Sequence, residues 1–144
     1  MENSSNVIAE SAHRTYWPMA RAANADLLLI SMPRVNLLLT GTPPVLQEAL
    51  TKLTPMLRGP VQTWSSVGPL ELPPPTTSGT LVLRDVDALS AVDQYRLLKW
   101  LDLSAGRTQV ISTTGLQLRQ EVDAGAFHSG LYYRLNVACV DLTE

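Results

Sequence analysis

Short aliphatic runs alternate with helix-forming segments along most of this chain, and this alternation constrains the fold more than any other feature. The runs lie at residues 35–40, 80–83, 109–112 and 136–142, and residues 61–64 alternate in the way that is typical of a strand. Segments with the spacing or the boundary residues of helices separate them, at residues 42–57, 90–105, 116–124 and 127–135. Strands this apolar are typical of a parallel sheet covered by helices on both faces. The pattern therefore predicts an α/β fold with a parallel sheet of about five strands.

The rest of the chain is consistent with a single domain. We assign residues 11–144 to this domain and expect residues 1–10, which are polar, to form a flexible N-terminus. A further helix is predicted over about residues 17–30. Residues 73–75 are three consecutive prolines, which predict a semi-rigid loop over residues 65–79. This loop is either a structural spacer or a ligand for a proline-binding domain.

Composition narrows the classes of function. Apolar residues make up 45% of the chain and charged residues 17%, which is typical of a folded globule. The net charge of −2 gives no basic field for a nucleic-acid backbone, so no direct nucleic-acid partner is expected. The longest apolar run, at residues 25–30, is too short to span a membrane, and the N-terminus does not resemble a secretory signal. Because the single cysteine, Cys139, cannot form an internal disulfide either, a cytoplasmic protein is expected.

The segment after the first strand is where a phosphate-binding loop would lie. Such a loop needs several glycines, so that backbone N–H groups can reach phosphate oxygens, and then a lysine. Here only Gly41 remains, Pro43 and Pro44 have no N–H group, and Gln47 occupies the lysine position. We therefore predict an ordinary helix capped by Thr42, whose N-terminus could hold at most a loose anion.

Two further strand ends carry polar side chains. After the third strand, Arg84 and Asp85 stand where adjacent carboxylates would bind magnesium, and a fixed cation there would repel a metal ion. We expect Arg84 to form a surface ion pair with Asp85 or Asp87. After the fourth strand, residues 112–114 all carry hydroxyl groups, which could either orient a water molecule or cap the following helix.

His128 and Ser129 are adjacent and superficially suggest a catalytic pair. Neighbouring residues seldom place their side chains for proton transfer, and no acidic residue has a defined place beside them. His128 is therefore expected to face the solvent. No catalytic residue and no metal site are predicted.

Four sequence blocks follow one another in the C-terminal half. Residues 79–86 read G-T-L-V-L-R-D-V, residues 94–101 Q-Y-R-L-L-K-W-L, residues 109–115 Q-V-I-S-T-T-G and residues 125–137 G-A-F-H-S-G-L-Y-Y-R-L-N-V. They resemble the patterns G-T-L-F-L-D-E-I, Q-x-x-L-L-R-x-L, R-V-I-A-A-T-N and G-x-F-R-x-D-L-Y-Y-R-L-N-V. These patterns occur in that order in the central AAA+ domain of the bacterial sigma-54-dependent transcription activators. The resemblance implies a P-loop NTPase fold of the AAA+ type, assembly into rings and remodelling of sigma-54 RNA polymerase; residues 20–64 share it only weakly.

The residues that engage ATP in this family are altered here, so the resemblance is to a degenerate AAA+ domain. The Walker A loop is lost over residues 42–47, the Walker B aspartate is Arg84, its glutamate is Asp85, and the sensor asparagine is Gly115. The resemblance leaves three vestigial nucleotide-binding residues: Gly41, Thr42 and Asp85.

The subunit interface and the sigma-factor contact of the family are altered as well. The first arginine of the family's F-R-x-D-L pattern helps to complete a neighbour's ATP site; here it is His128, and the aspartate is Gly130. The second arginine remains as Arg134, so the resemblance implies an interface that includes Phe127, His128 and Arg134. Residues 65–79 do not contain the family's GAFTGA segment, which contacts the sigma factor. Because the sequence ends at residue 144, the family's helical lid is expected to be absent.

Two functions from different classes follow from the resemblance. The first is a non-catalytic domain, a pseudo-ATPase, that regulates transcription through contacts with intact sigma-54 activators or with itself, without a cofactor. The alternative is a domain that still binds ATP with magnesium, or hydrolyses it slowly, and uses Asp85. A third possibility concerns the chain rather than its chemistry: it could be a fragment of a longer regulator.

Overall fold

The first aliphatic run forms a central strand with a neighbour on each side. In the computed structural model, which describes residues 34–142, five strands form one sheet. They are β1 (Leu37–Thr40), β2 (Val61–Trp64), β3 (Thr80–Leu83), β4 (Gln109–Thr114) and β5 (Ala138–Asp141). Their spatial order is β2-β3-β4-β1-β5, and every neighbouring pair is parallel. The predicted parallel α/β fold is therefore confirmed.

The helices occur where the spacing predicts them, with shorter bounds. They are α1 (Pro43–Leu53), α2 (Ala91–Ser104), α3 (Leu118–Asp123) and α4 (Ser129–Leu135), with 3-10 turns at Thr54–Met56 and Val86–Ala88. α1 ends before residue 57 because Pro55 has no N–H group to continue the helix. The helix predicted over residues 17–30 and the flexible segment 1–10 lie outside the described residues. Within residues 34–142, no helix combines the length and the apolar character needed to cross a membrane.

Alternation along the strands produces two apolar core layers, one on each face of the sheet. On one face, Leu37 and Leu39 of β1 pack with side chains of α1. On the other face, Leu38 packs in a layer that includes buried residues of α2, α3 and α4. Helices therefore cover both faces, as the apolar strands predict.

α2 has the predicted boundaries. A serine just before the first helical residue predicts an N-terminal cap at Ser90. The Oγ atom of Ser90 accepts a hydrogen bond from the N–H of Asp93 at 3.1 Å, which confirms this cap. At the other end, Ala105 and Gly106 both adopt the left-handed conformation, with φ values of 50° and 81°. The positive φ at position 106 suits glycine, which has no Cβ atom to clash there.

The face that α2 presents to the core differs from the prediction in its first turn. The helical spacing of the apolar residues in the sequence predicts one apolar side formed by Val92, Leu97, Leu98 and Leu101. Val92 is instead 69% exposed, and Gln94 is the buried residue. The Nε2 atom of Gln94 donates to the carbonyl oxygens of Leu89 and Ala126, and its Oε1 atom accepts from the N–H of His128. Because these bonds satisfy the buried amide, a polar residue occupies this core position without an unpaired group.

The proline-containing loop between β2 and β3 covers one face of the sheet where a helix would normally lie. The Nε1 atom of Trp100 donates to the carbonyl oxygen of Pro73 at 2.7 Å. The hydroxyl of Thr108 donates to the carbonyl oxygen of Thr77 at 2.6 Å. Leu70 of the loop is itself part of the core layer. These contacts favour the interpretation of the loop as a structural spacer, while binding by a proline-binding domain stays a prediction.

A buried hydroxyl in the central sheet gives a test of the core. The Oγ atom of Ser112 in β4 is buried and has no hydrogen-bond partner among the described residues. A buried polar group without a partner costs about 1–3 kcal/mol. We therefore expect Ser112→Ala to raise the free energy of unfolding by about 1 kcal/mol in urea denaturation.

Thr114, on the same strand, is the matched control for Ser112. Its hydroxyl donates to Oδ1 of Asp87 at 2.6 Å and accepts from the N–H of Leu116 at 3.1 Å. Removing this satisfied hydroxyl in Thr114→Val should lower the free energy of unfolding by about 1 kcal/mol. If Ser112→Ala lost as much stability as Thr114→Val, the assignment of Ser112 as an unpaired group would be wrong.

Candidate functional site

The connection between β1 and α1 is two residues long, Gly41 and Thr42. The N–H of Gly41 donates to the carbonyl oxygen of Thr114 at 3.3 Å, and the carbonyl oxygen of Thr42 accepts from the N–H of Leu46 at 2.9 Å. The helix therefore begins at residues that would still belong to the loop if this segment were a phosphate-binding loop. Thr42 does occupy the N-cap position, but its side chain makes no capping hydrogen bond, so the predicted side-chain cap is wrong.

Few backbone donors remain at this end of α1. Its first two residues, Pro43 and Pro44, have no N–H group, and the next, Val45, is the first that can donate. The first turn also contains no acidic residue, so a weak positive potential of the helix end is not neutralised locally. The space around Gly41 is also limited: a Cβ atom at this position would lie 3.3 Å from the Cβ atom of Leu142. Four or more converging amides, as a triphosphate requires, are not formed by this segment.

The side chains at the lysine and Walker B aspartate positions contact each other. Nη2 of Arg84 donates to Oε1 of Gln47 at 2.6 Å, and Nε2 of Gln47 donates to the hydroxyl of Thr51 at 3.3 Å. The hydrogen bond between Arg84 and Gln47 links the end of β3 to α1. It crosses the place where the resemblance would put the phosphates and the magnesium ion. Within residues 34–142, no ion pair joins Arg84 to Asp85 or Asp87, so the predicted surface pair is wrong.

The two aspartates after β3 belong to a local hydrogen-bonded turn. Asp85 adopts the left-handed conformation with a φ of 57°, and its N–H donates to the hydroxyl of Thr113 at 3.2 Å. Asp87 accepts from the hydroxyl of Thr114, which also holds the turn before α3. The hydroxyls at the end of β4 thus support turns, although they cap no helix directly. No group of three His, Cys, Asp or Glu side chains in the described part of the chain could hold a metal ion.

The three residues of the implied interface have different environments. Phe127 is 3% exposed and lies in the core layer beneath α2, so its side chain is not offered to a partner in this conformation. Arg134 lies on α4, where Nη1 is 2.5 Å from Oδ1 of Asp102 on α2. His128 is exposed, as predicted, and its Nδ1 atom accepts from the N–H of Leu131 at 3.3 Å. Of the three, His128 and Arg134 are on the surface.

Gly130 and His128 depend on each other. A Cβ atom at position 130 would lie 2.9 Å from Cε1 of His128, so any larger residue would displace the imidazole from its capping position. The family has an aspartate at this position and an arginine in place of His128. The two departures are therefore sterically coupled: the imidazole caps α4 because position 130 has no side chain.

Tyr132 lies on the same helix, next to these residues. Burial raises the pKa of its phenol, which also accepts a hydrogen bond from Nδ2 of Asn136 at 3.0 Å. Its ring contacts that of Tyr133 edge to face, with the centroids 5.2 Å apart. Tyr132 also packs against the buried core layer, and this contact helps to hold α4 in place.

Reasoning from the sequence found the positions of the altered site but missed its central contact. Gln47 and Arg84 are each identified as departures, yet their hydrogen bond joins residues far apart in the chain. The signal was present in the resemblance: a lysine and an aspartate that would both face one ligand are replaced by two side chains able to bind each other. The capping role of His128 was also missed, although histidine followed three residues later by a helix-forming leucine allows it.

A match to a protein-family model identifies the family of this chain. The model of a protein family described as the Sigma-54 interaction domain matches residues 24–144. A curated relative, the transcriptional regulatory protein ZraR of Klebsiella oxytoca, is 35% identical over 75 aligned positions, which cover 44% of this chain and 17% of that protein.

Solved structures share the fold at low sequence identity. NtrX of Brucella abortus in complex with ATP has a TM-score of 0.58 at 17% identity, over 85% of this chain and 37% of that one. The P-loop NTPase domain of a sigma-54 activator from E. coli has a TM-score of 0.55 at 17% identity, over 76% of this chain and 98% of that one. The chain therefore spans 17% of the curated relative and 37% of NtrX, and matches most of an isolated P-loop NTPase domain.

Proposed function

Because this chain belongs to the Sigma-54 interaction domain family of transcriptional regulators, we propose that it regulates transcription through protein–protein contacts and without turning over ATP. The proposed partners are intact sigma-54 activators or further copies of this chain, in the cytoplasm. Gly41, Thr42 and Asp85 are proposed to be the vestige of a nucleotide-binding site. The residues proposed at a subunit contact are His128 and Arg134, with Phe127 supporting α4 from the core.

The hydrogen bond between Arg84 and Gln47 carries the proposal. It occupies the region between α1 and β3 with two protein side chains, and the guanidinium is a permanent positive charge that disfavours a nearby magnesium ion. Phosphoryl transfer depends mainly on positioning and on neutralising the phosphates with a metal ion and backbone donors. The two prolines at the start of α1 remove backbone donors at this position. Binding of the metal ion and hydrogen bonding to the phosphates are therefore both weakened.

Retained packing supports a role that depends on the shape of the domain. Leu131 and Leu135 of the best-matching block are fully buried, and they hold α4 against the sheet. His128 and Arg134 are thereby fixed on the surface of a well-packed helix. A domain that keeps its fold and part of a family interface can enter an assembly of related subunits without contributing a working ATP site.

The direct test is to mix the purified protein with an intact sigma-54 activator from the same cell. We expect the ATPase rate of the activator, or the size of its ring, to change as the ratio of the two proteins approaches one. Arg134→Glu should weaken the effect, whereas Lys52→Glu, an exposed change on α1, should leave it unchanged. If neither the rate nor the ring size responds, the proposed contact with intact activators is wrong.

Calorimetry with Mg·ATP separates this function from the enzymatic alternative. No heat of binding is expected for the protein or for the Gln47→Lys, Arg84→Asp variant, because Pro43 and Pro44 remain in both. An intact activator serves as the positive control. Micromolar binding to the unmodified protein would overturn the interpretation of the site.

A further inference from the structure

Residues 68–77, which we call the strap, are held across the domain by side chains rather than by backbone pairing. No backbone N–H group of residues 69–76 donates to a backbone group of another described residue. Instead, carbonyl oxygens of the strap accept hydrogen bonds from side chains of β2, of α2 and of the residues after α2. The accepting carbonyl groups are those of Gly68, Leu70, Glu71, Pro73, Pro75 and Thr77. The strap is therefore held in the way that a receptor holds an extended peptide ligand.

One side of α2 supplies a row of donors to the strap. Nη1 of Arg96 donates to the carbonyl oxygen of Leu70 at 3.3 Å. One helical turn further along, Nε1 of Trp100 donates to the carbonyl oxygen of Pro73 at 2.7 Å, and this bond is buried. Because proline has no N–H group, the consecutive prolines of the strap need partners only for their carbonyl oxygens. Side-chain donors on a neighbouring helix meet that need.

Two side chains of the strap are enclosed by the domain. Leu70 is 3% exposed in the core layer, and Pro73 is also buried. Glu71 and Pro74, each one position further along, are exposed. A residue that precedes proline is restricted to extended conformations, and in the polyproline conformation three residues make one turn. Leu70 and Pro73 therefore share the face of the strap that is turned toward the domain.

We propose that α2 and β2 form a binding site for extended segments of the pattern Leu-x-x-Pro, and that the strap is the ligand that occupies this site within the chain. A segment of the same pattern in a partner protein displaces the strap and takes its place. Hydrogen bonds to carbonyl oxygens do not depend on the side chains of the ligand, so only the leucine and the proline have to match. Further prolines keep such a segment extended before it binds, which lowers the entropy lost on binding.

The connection of the strap to β2 allows it to leave the site while the sheet stays paired. The strap begins at an exposed turn, in which the N–H of Gly68 donates to the carbonyl oxygen of Ser65 at 3.3 Å. The hydrogen bonds that hold the strap are separate from the ladder between β2 and β3. A ligand tethered through a short linker has an effective concentration of about millimolar. The strap is therefore a competitor that a partner segment has to outcompete.

The first experiment measures binding of a labelled synthetic peptide, with the sequence of residues 67–78, by fluorescence anisotropy. The receptor is the full chain with Leu70→Ala and Pro73→Ala, which weaken the strap and leave α2 and β2 unchanged. We expect saturable binding to this variant and binding about tenfold weaker, or less, to the unmodified chain, whose strap competes. Adding Trp100→Phe to the variant should lower the affinity about fivefold, because one hydrogen bond is lost. Adding Lys99→Ala, an exposed change on α2, should leave the affinity unchanged.

The second experiment varies the peptide to test the pattern. A peptide with alanine at the positions of Leu70 and Pro73 should not bind, because both side chains are enclosed in the structure. A peptide with Glu71→Ala should bind as well as the original, since that side chain is exposed. Equal binding of all three peptides would overturn the proposed pattern.

A third measurement uses the unmodified chain, so that the test does not depend on the folding of a variant. At saturating peptide, the amide NMR signals of Leu70, Glu71 and Leu72 in the isotope-labelled chain should move to the values of a free segment. Unmoved signals at saturation, or no binding to a folded variant with Leu70→Ala and Pro73→Ala or with Pro73→Ala alone, would overturn the proposal. The inference does not rest on the proposed function: peptide binding without any effect on an intact activator would leave it standing.

Discussion

Replacing Gly79 with alanine is expected to lower the free energy of unfolding by about 3 kcal/mol or more. A Cβ atom at this position would lie 2.3 Å from the carbonyl oxygen of Pro60, a backbone atom that cannot rotate away. The same oxygen accepts from the N–H of Thr80 at 3.0 Å, so moving it also disturbs the first hydrogen bond between β2 and β3. Because domains are typically stable by only about 5–15 kcal/mol, this loss should move the midpoint of urea denaturation, followed by circular dichroism, to a clearly lower urea concentration.

Gly68→Ala is the control for this substitution. A Cβ atom at Gly68 would have no heavy atom within 4 Å, so its effect should be within about 0.5 kcal/mol. Equal stability of the two variants in urea denaturation would mean that β2 and β3 are less closely packed than described. The glycine that begins the G-T-L block is thus explained by a close approach between two chain segments.

Trp100→Ala should lower the free energy of unfolding by about 3–5 kcal/mol. Trp100 is 5% exposed in the core layer, and its indole N–H satisfies the carbonyl oxygen of Pro73. Truncation would leave a cavity under the loop and a carbonyl without its donor. The loop of residues 65–79 should then become sensitive to proteolysis well before the rest of the domain unfolds.

Trp100→Phe separates packing from hydrogen bonding. Phenylalanine fills most of the same space but cannot donate to Pro73, so the expected loss is about 1–2 kcal/mol. If Trp100→Ala and Trp100→Phe lost the same amount, packing under the loop would contribute little. Proteolysis that begins outside residues 65–79 would contradict the structural role given to the loop.

β2 was predictable from the alternation of its residues, and the other strands were predictable because each is a short apolar run with residues on both faces of a buried sheet. The length of β4 was not, since its last residues, Thr113 and Thr114, become strand by pairing with Leu39 and Thr40 of β1. Long-range pairing of this kind leaves no local pattern. The same limit explains Val92, because the burial of Gln94 depends on partners contributed by other segments.

For the candidate site, the absence of a phosphate loop was predictable from two prolines alone, because the backbone nitrogen of proline carries no hydrogen to donate. The contact that replaces the loop was not predictable. Arg84 has acidic neighbours in sequence at positions 85 and 87, and local charge favours an ion pair with one of them. The structure instead directs the guanidinium to Gln47, because β3 and α1 meet there. The burial of Phe127 was likewise missed. The resemblance of residues 125–137 to a family interface does not indicate which of these side chains point into the core.

The position of β1 has a consequence for how the protein is made. Leu37 pairs with Ile111 on one side and with Ala138 on the other, so both partner strands of β1 come much later in the chain than β1 itself. β1 and β2 are consecutive in the chain but are not neighbours in the sheet. A nascent chain therefore has to hold β1 without its partner strands until residues 109–141 have been synthesised. During that interval, the unpaired apolar strand is exposed to association with other chains.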